Sequence, residues 1–186
     1  MLLRSSEDET IRRVAAGAIA NLAMNVIFVS SNILCRFDIA FVFAETNQEL
    51  IMAQGGITLL SITAADAEDP QTLRMVAGAI ANLCGNDKLQ MRLSGEGGIK
   101  ALLGMVRCGH PDVLAQVARG IANFAKCESR ASTQVNAKDM IMEGALWELV
   151  RISRDCSRED IRMLAHRTLV SSPTFQAELR RLRIEF

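Results

Sequence analysis

Leu73–Asn86 reads L-R-M-V-A-G-A-I-A-N-L-C-G-N, and it recurs. Arg12–Asn25 is R-R-V-A-A-G-A-I-A-N-L-A-M-N, and Leu114–Cys127 is L-A-Q-V-A-R-G-I-A-N-F-A-K-C. A fourth, eroded copy runs Ile161–Ser171, I-R-M-L-A-H-R-T-L-V-S. Self-similarity at this scale marks a chain of stacked supersecondary units, none of which buries its apolar face alone.

Each copy has the period of a helix. Val76, Ala79, Ile80 and Leu83 fall at i, i+3, i+4 and i+7, one apolar stripe. Val117, Gly120, Ile121 and Phe124 repeat it, and so do Ala15, Ala18, Ile19 and Leu22. Asn21, Asn82 and Asn123 hold one shared place, about 100° round the helix from the stripe. That angle puts them on the rim of the buried face or on the surface.

The flanks repeat as well. Pro70 and Pro111, 41 residues apart, open the helix where a missing N–H costs nothing. In the fourth copy Arg158 takes that place, with Ser157 expected to cap and Asp160 three residues on. Upstream stand Gly55-Gly56-Ile57, Gly97-Gly98-Ile99 and Gly144-Ala145-Leu146. Each follows a short apolar-periodic piece that starts at Asn47, Asn86 or Asn136, and each leads into a second, longer one. The unit is a short helix, a glycine corner, a medium helix, a proline or cap, and a long helix.

An all-α unit of this length resembles the armadillo repeat, with glycines after its first helix and an Asn late in its third. The run Asp69–Cys127, with A-G-A-I-A-N-L-C-G-N and Q-V-A-R-G-I-A-N-F-A-K-C, is similar to the C-terminal armadillo tail of plant armadillo-repeat kinesins. So is Gly144–Leu182, with G-A-L-W-E-L-V-R-I-S and S-S-P-T-F. The resemblance implies a right-handed superhelical solenoid and a non-catalytic interaction module. Microtubule association would then be indirect, through a motor domain with no counterpart in these residues. It also implies a cytoplasmic, cytoskeleton-associated location.

On that pattern, residues 1–25 supply the third helix of a partial repeat, whose apolar flank lacks its cover. The chain is therefore expected to be truncated on that side. Residues 45–85 and 86–127 are full repeats, 128–135 a polar loop, 136–172 a degenerate repeat and 173–186 a basic tail, with Pro173 stopping the last helix. The structural reading of that tail is a solvated helix; a weak site for acidic surfaces is the alternative. Residues 26–44 break the register: Asn21 and Asn82 are 61 apart, where Asn82 and Asn123 are 41. This segment carries four of the seven Phe and is about long enough to span a membrane. Arg36 and Asp38 near its middle argue against a span. The reading is a poorly packed hydrophobic insert, from altered splicing, with a functional hairpin or helix as the alternative.

Composition excludes several classes. With 21 basic and 21 acidic residues the chain lacks a globally basic nucleic-acid footprint. Five scattered cysteines without a C-x-x-C pair argue against a zinc site or a disulfide framework, and Cys84 and Cys127 follow the helical repeat as small buried residues. No phosphate loop or dinucleotide fingerprint is present. His110 is read as a loop or cap residue beside Pro111, and His166 as exposed on the last long helix. No cofactor, metal or catalytic residue is expected, and the chain is read as not an enzyme.

A binding surface remains. Long helices stacked side by side line a concave face. Across it run Arg13, Gly17, Asn21 and Asn25, then Arg74, Gly78, Asn82 and Asn86, then Ala115, Arg119, Asn123 and Cys127. The resemblance implies that the Asn rows pin the backbone of an extended peptide, which an amide does by donating and accepting at once. The bland alternative is an Asn that bonds its own helix end. Import adaptors of the armadillo family carry a Trp one turn earlier, where this chain has Gly17, Gly78 and Arg119. The single Trp, Trp147, lies on a medium helix and is expected in the core. The rows carry Arg, so an acidic or neutral peptide fits better than a basic one. The groove candidates are therefore Arg13, Asn21, Arg74, Gly78, Asn82, Asn86, Arg119 and Asn123, serving a cargo or regulatory partner. The rival readings are a general peptide adaptor (import or signalling scaffold) and a truncated splice variant without stable function.

Overall fold

Three of the four described glycines in the left-handed region turn the chain in the same way: Gly55 at φ 72°, Gly97 at φ 81° and Gly144 at φ 93°. A side chain is strained at such a φ, so glycine marks each corner. In the computed structural model, which describes residues 9–23, 46–126 and 134–185, each corner joins a short helix to a medium one.

The described helices run in order. Helix α1 is Glu9–Leu22. Then come α2 (46–53), α3 (Gly56–Asp66) and α4 (Pro70–Leu83). A 3-10 turn, Asp87–Leu89, leads into α5 (Gln90–Gly95) and α6 (Gly98–Gly104). A second 3-10 turn, Met105–Cys108, precedes α7 (Pro111–Lys126). The chain continues with α8 (Gln134–Met142), α9 (Ala145–Asp155), α10 (Glu159–Ser171) and α11 (Pro173–Leu182). The insert read at 26–44, the groove positions Asn25 and Cys127, and most of the loop read at 128–135 lie outside the described residues.

The long helices α1, α4, α7 and α10 form one layer, each packed on the next. The medium helices pack behind them, α3 on α6 and on α4, α9 on α10. The apolar stripe of α4 is fully enclosed: Val76, Ala79, Ile80 and Leu83 are all at 0% exposure. Burying a side chain such as Ile80 stabilises by about 1.5–3 kcal/mol. Gly120 shows how close the layers approach. A Cβ there would lie 2.6 Å from Leu102 Cδ2 and 3.3 Å from the Ala81 backbone. The stripe expected from the sequence therefore has a glycine where α7 crosses α4 and α6.

Four local expectations are corrected. In α1 the buried residues are Ala16 and Ala20, while Leu22 and Ala18 of the expected stripe are exposed. The face turned to α4 prevails there, and Ile11, Val14 and Leu22 stand open to solvent. Trp147 is 56% exposed rather than in the core; Leu146, Leu149, Val150 and Ile152 already fill the inner side of α9. Ser157 does not cap α10: the helix starts one residue later than that cap requires, and Arg158 is the N-cap, without a capping side-chain bond. Pro173 ends α10 but also opens α11, with Ser172 Oγ accepting from Phe175 N–H at 3.2 Å. Phe175 and Leu179 are buried, so the start of the expected tail is a packed helix against α8 and α10. Arg180, Arg181 and Arg183 lie on its solvent side.

Candidate interaction surface

A helix leaves its last four carbonyls without partners. In a stack of long helices these carbonyls lie beside the next helix, and the repeated Asn reaches them. Asn82 Nδ2 donates to the Ala20 carbonyl at 2.8 Å, and Asn123 Nδ2 donates to the Ala81 carbonyl at 3.0 Å. Ala20 and Ala81 each immediately precede the Asn of their own helix. The amide of one repeat therefore satisfies the exit of the repeat before it.

Arg119 extends this arrangement. Its Nη2 donates to Asn82 Oδ1 at 2.9 Å and to the Gly78 carbonyl at 3.3 Å. A relay thus runs from α7 through Asn82 of α4 to the carbonyl of Ala20 in α1. Gly78 is buried beside it, and a Cβ there would stand in ordinary contact, 3.5 Å from Gln116 Oε1 and 4.0 Å from the same Nη2. Burial draws the Arg119 pKa down, but a guanidinium remains charged.

A second set of buried amides was not anticipated. Gln48 Nε2 donates to the Ala23 carbonyl at 2.6 Å. Gln90 Nε2 donates to the carbonyls of Cys84 and Phe124, both at 3.3 Å. Each Gln stands seven residues before the glycine corner, so the recurrence was legible in spacing alone. In the third unit that place is Ala137, and the Asn place is Val170. Neither type offers an amide.

The remaining candidates separate. Asn86 is buried: its Nδ2 donates to Gln48 Oε1 at 2.9 Å and its Oδ1 accepts from Lys88 N–H at 3.1 Å. It is an internal cap beneath the layer, apart from any open surface. Asn21 is exposed on α1. Arg13 Nη1 lies 3.6 Å from Asp69 Oδ2, which also caps α4 by accepting from Thr72 N–H at 2.9 Å. That hydrogen bond, together with the Arg13 charge, holds the Asp69 carboxyl below its ordinary pKa. Arg74 is half-buried and donates from Nε to Gln71 Oε1 at 3.2 Å. His110 Nδ1 accepts from Asp112 N–H at 3.3 Å, a cap on α7. His166 is exposed on α10.

Among the described residues no three His, Cys, Asp or Glu side chains gather as metal ligands, and no helix is long and apolar enough to cross a membrane. The layer offers amides that hold neighbouring helix-end carbonyls, guanidinium groups and an apolar cleft between α7 and α10.

No family model matches this sequence. It is similar to the kinesin-like protein KIN-UB of Oryza sativa subsp. japonica, at 65% identity over 46% of this chain. It is also similar to KIN-UA and KIN-UB of Arabidopsis thaliana, at 62% and 61% identity over 46% and 47% of the chain. These matches span only 14–15% of the relatives' own length. Among solved structures, a designed armadillo repeat protein in complex with the peptide (KR)4 superposes with TM-score 0.60. It is 19% identical and covers 94% of this chain and 79% of the designed one. An engineered protein superposes with TM-score 0.62 at 18% identity, covering 94% and 78%. The fold is therefore an armadillo-type solenoid, and the resemblance to plant kinesin-like proteins holds at the level of sequence.

Proposed function

We propose that the chain is a non-catalytic protein-interaction module, a repeat tail of a kinesin-like microtubule motor. The observation that carries this reading is the coincidence of 61–65% identity to kinesin-like proteins with an armadillo-type stack of long helices. The layer of α1, α4 and α7 docks a cargo or regulatory partner, with an extended peptide lying across Arg74, Gly78, Asn82, Arg119 and Asn123. Microtubule contact is indirect, through the motor that such proteins carry, and the location is cytoplasmic and cytoskeletal.

The asparagines enter this reading in a changed form. Each spends one N–H on a neighbouring carbonyl. An amide has two N–H groups, and we assign the second one of Asn82 to holding a peptide. The rows then serve twice, locking the stack and presenting the groove at a set spacing.

The test uses substitutions that spare the lock. Arg74→Glu with Ala115→Glu alters the groove face of α4 and α7 without touching Asn82 or Asn123. With thermal unfolding unchanged, the double variant should lose at least tenfold of the motor-linked protein captured from a plant-cell extract. Undiminished capture overturns the groove reading. A second reading, a general peptide adaptor, is favoured by the (KR)4 peptide on the designed neighbour. Tight binding of (KR)4 by this chain would support it.

A further inference from the structure

The charges of the long helices are sorted along their length. The acids Glu9, Asp112, Glu159 and Asp160 lie in first turns, and Asp69 caps α4. Beyond the first three residues these helices carry no acid at all; their charges are Arg12, Arg13, Arg74, Arg119, Lys126, Arg162 and Arg167. The chain as a whole is neutral, so this basic character is local. Several of these cations are engaged. Arg13 faces Asp69, Arg119 turns to Asn82, and Arg162 Nη1 donates to the Cys156 carbonyl at 2.6 Å. Lys126 and Arg167 are exposed, and the one side-chain bond seen for Arg167 goes to its own helix, at the Met163 carbonyl.

Lys126 and Arg167 flank an open cleft of about 490 Å³ between α7 and α10. Ala122, Leu164 and Val170 supply its apolar lining, with His166 beside them. The cleft has a cause in the sequence. Val170 occupies the Asn place on α10 and is 54% exposed, so no amide draws α10 onto the exit of α7. α7 also runs on to Lys126, which keeps the Ala122 carbonyl within its own helix. The one long-helix junction without an Asn lock thus holds an apolar slot between two exposed cations.

We infer that this α7–α10 cleft receives an acidic, extended segment of a partner protein. An apolar side chain of that segment rests against Leu164 and Val170, and its carboxylates face Lys126 and Arg167. This rests on the groove reading and names the chemistry of its occupant. The designed neighbour was solved with a peptide of Lys and Arg; the same peptide laid here would meet like charge.

Three labelled ten-residue peptides test it by fluorescence anisotropy on the full chain: Glu-rich, Ser-rich and Lys-rich, each with one central Leu. The Glu-rich peptide should bind roughly tenfold or more tighter than the Ser-rich one, and weaken as salt rises from about 50 to 500 mM. Lys126→Glu with Arg167→Glu should remove that preference. Lys100→Glu with Arg107→Glu, on the separate cleft between α3 and α6, should leave it intact. Equal affinity for the three peptides, tighter binding of the Lys-rich one, or equal loss in both double variants overturns the acidic occupant and leaves the groove reading standing. Absence of binding by all three peptides overturns both.

Discussion

At the residue scale the repeated asparagine is a bridge between helices. Removing one partner of a buried hydrogen bond leaves the other unsatisfied, at about 1–3 kcal/mol. Asn123→Ala strands the Ala81 carbonyl, whereas Asn82→Ala strands the Ala20 carbonyl and also takes one of two acceptors from Arg119, which keeps the Gly78 carbonyl. Urea unfolding should show both variants destabilised, Asn82→Ala the more so; equal losses would mean that Arg119 gains nothing from Asn82. Asp69 supplies a pH-dependent term. Its folded-state pKa is lowered, chiefly by the Thr72 N–H. Its contribution is therefore complete above the ordinary carboxylate pKa near 4 and is lost as pH falls below that. Asp69→Asn should keep the cap yet flatten this acid limb, while Asp69→Ala should cost about 1 kcal/mol at neutral pH. Denaturation curves collected between roughly pH 2 and 7 check both outcomes.

At the scale of elements, spacing between helices depends on what stands at the crossings. Gly120→Ala drives a methyl against Leu102 and the Ala81 backbone, so overpacking should cost about 1–3 kcal/mol. Gly78→Ala meets nothing nearer than Gln116 Oε1 at 3.5 Å and should cost far less. The same sequence motif thus carries two glycines with opposite tolerances, and thermal melts of the two variants separate them. Gln90→Leu should also be costly, about 1–3 kcal/mol, because two helix-end carbonyls lose their donor at once. A neutral result there would show that those carbonyls find other partners.

For the whole molecule, contacts run between neighbouring repeats, so stability is a sum of local interfaces and its ends open first. Amide exchange should be slowest in α4 and α7, which have long helices on both sides, and fastest in α1. Uniform protection across the four long helices would contradict this. The open face of α1, with Ile11, Val14 and Leu22 exposed, is an apolar patch at one end of the described stack.

The helical period of the four copies, the glycine corners and the prolines were enough to specify a stack of repeated helical units, because local periodicity and turn chemistry are written residue by residue, and the resemblance of those units named the stack armadillo-type. Spacing also placed Asn82 and Asn123 on the rim of the buried face, and could have revealed Gln48 and Gln90. What a side chain meets across an interface has no such local signature. Only the tertiary structure decided that the Asn amides reach the preceding helix, that Asn86 lies beneath the layer and that Arg119 lies across Gly78. It likewise decided that Trp147 faces solvent and that Pro173 begins a packed helix. The physical reason is that periodicity defines a helix's faces, while the neighbour each face meets is settled by packing between residues about 40 positions apart.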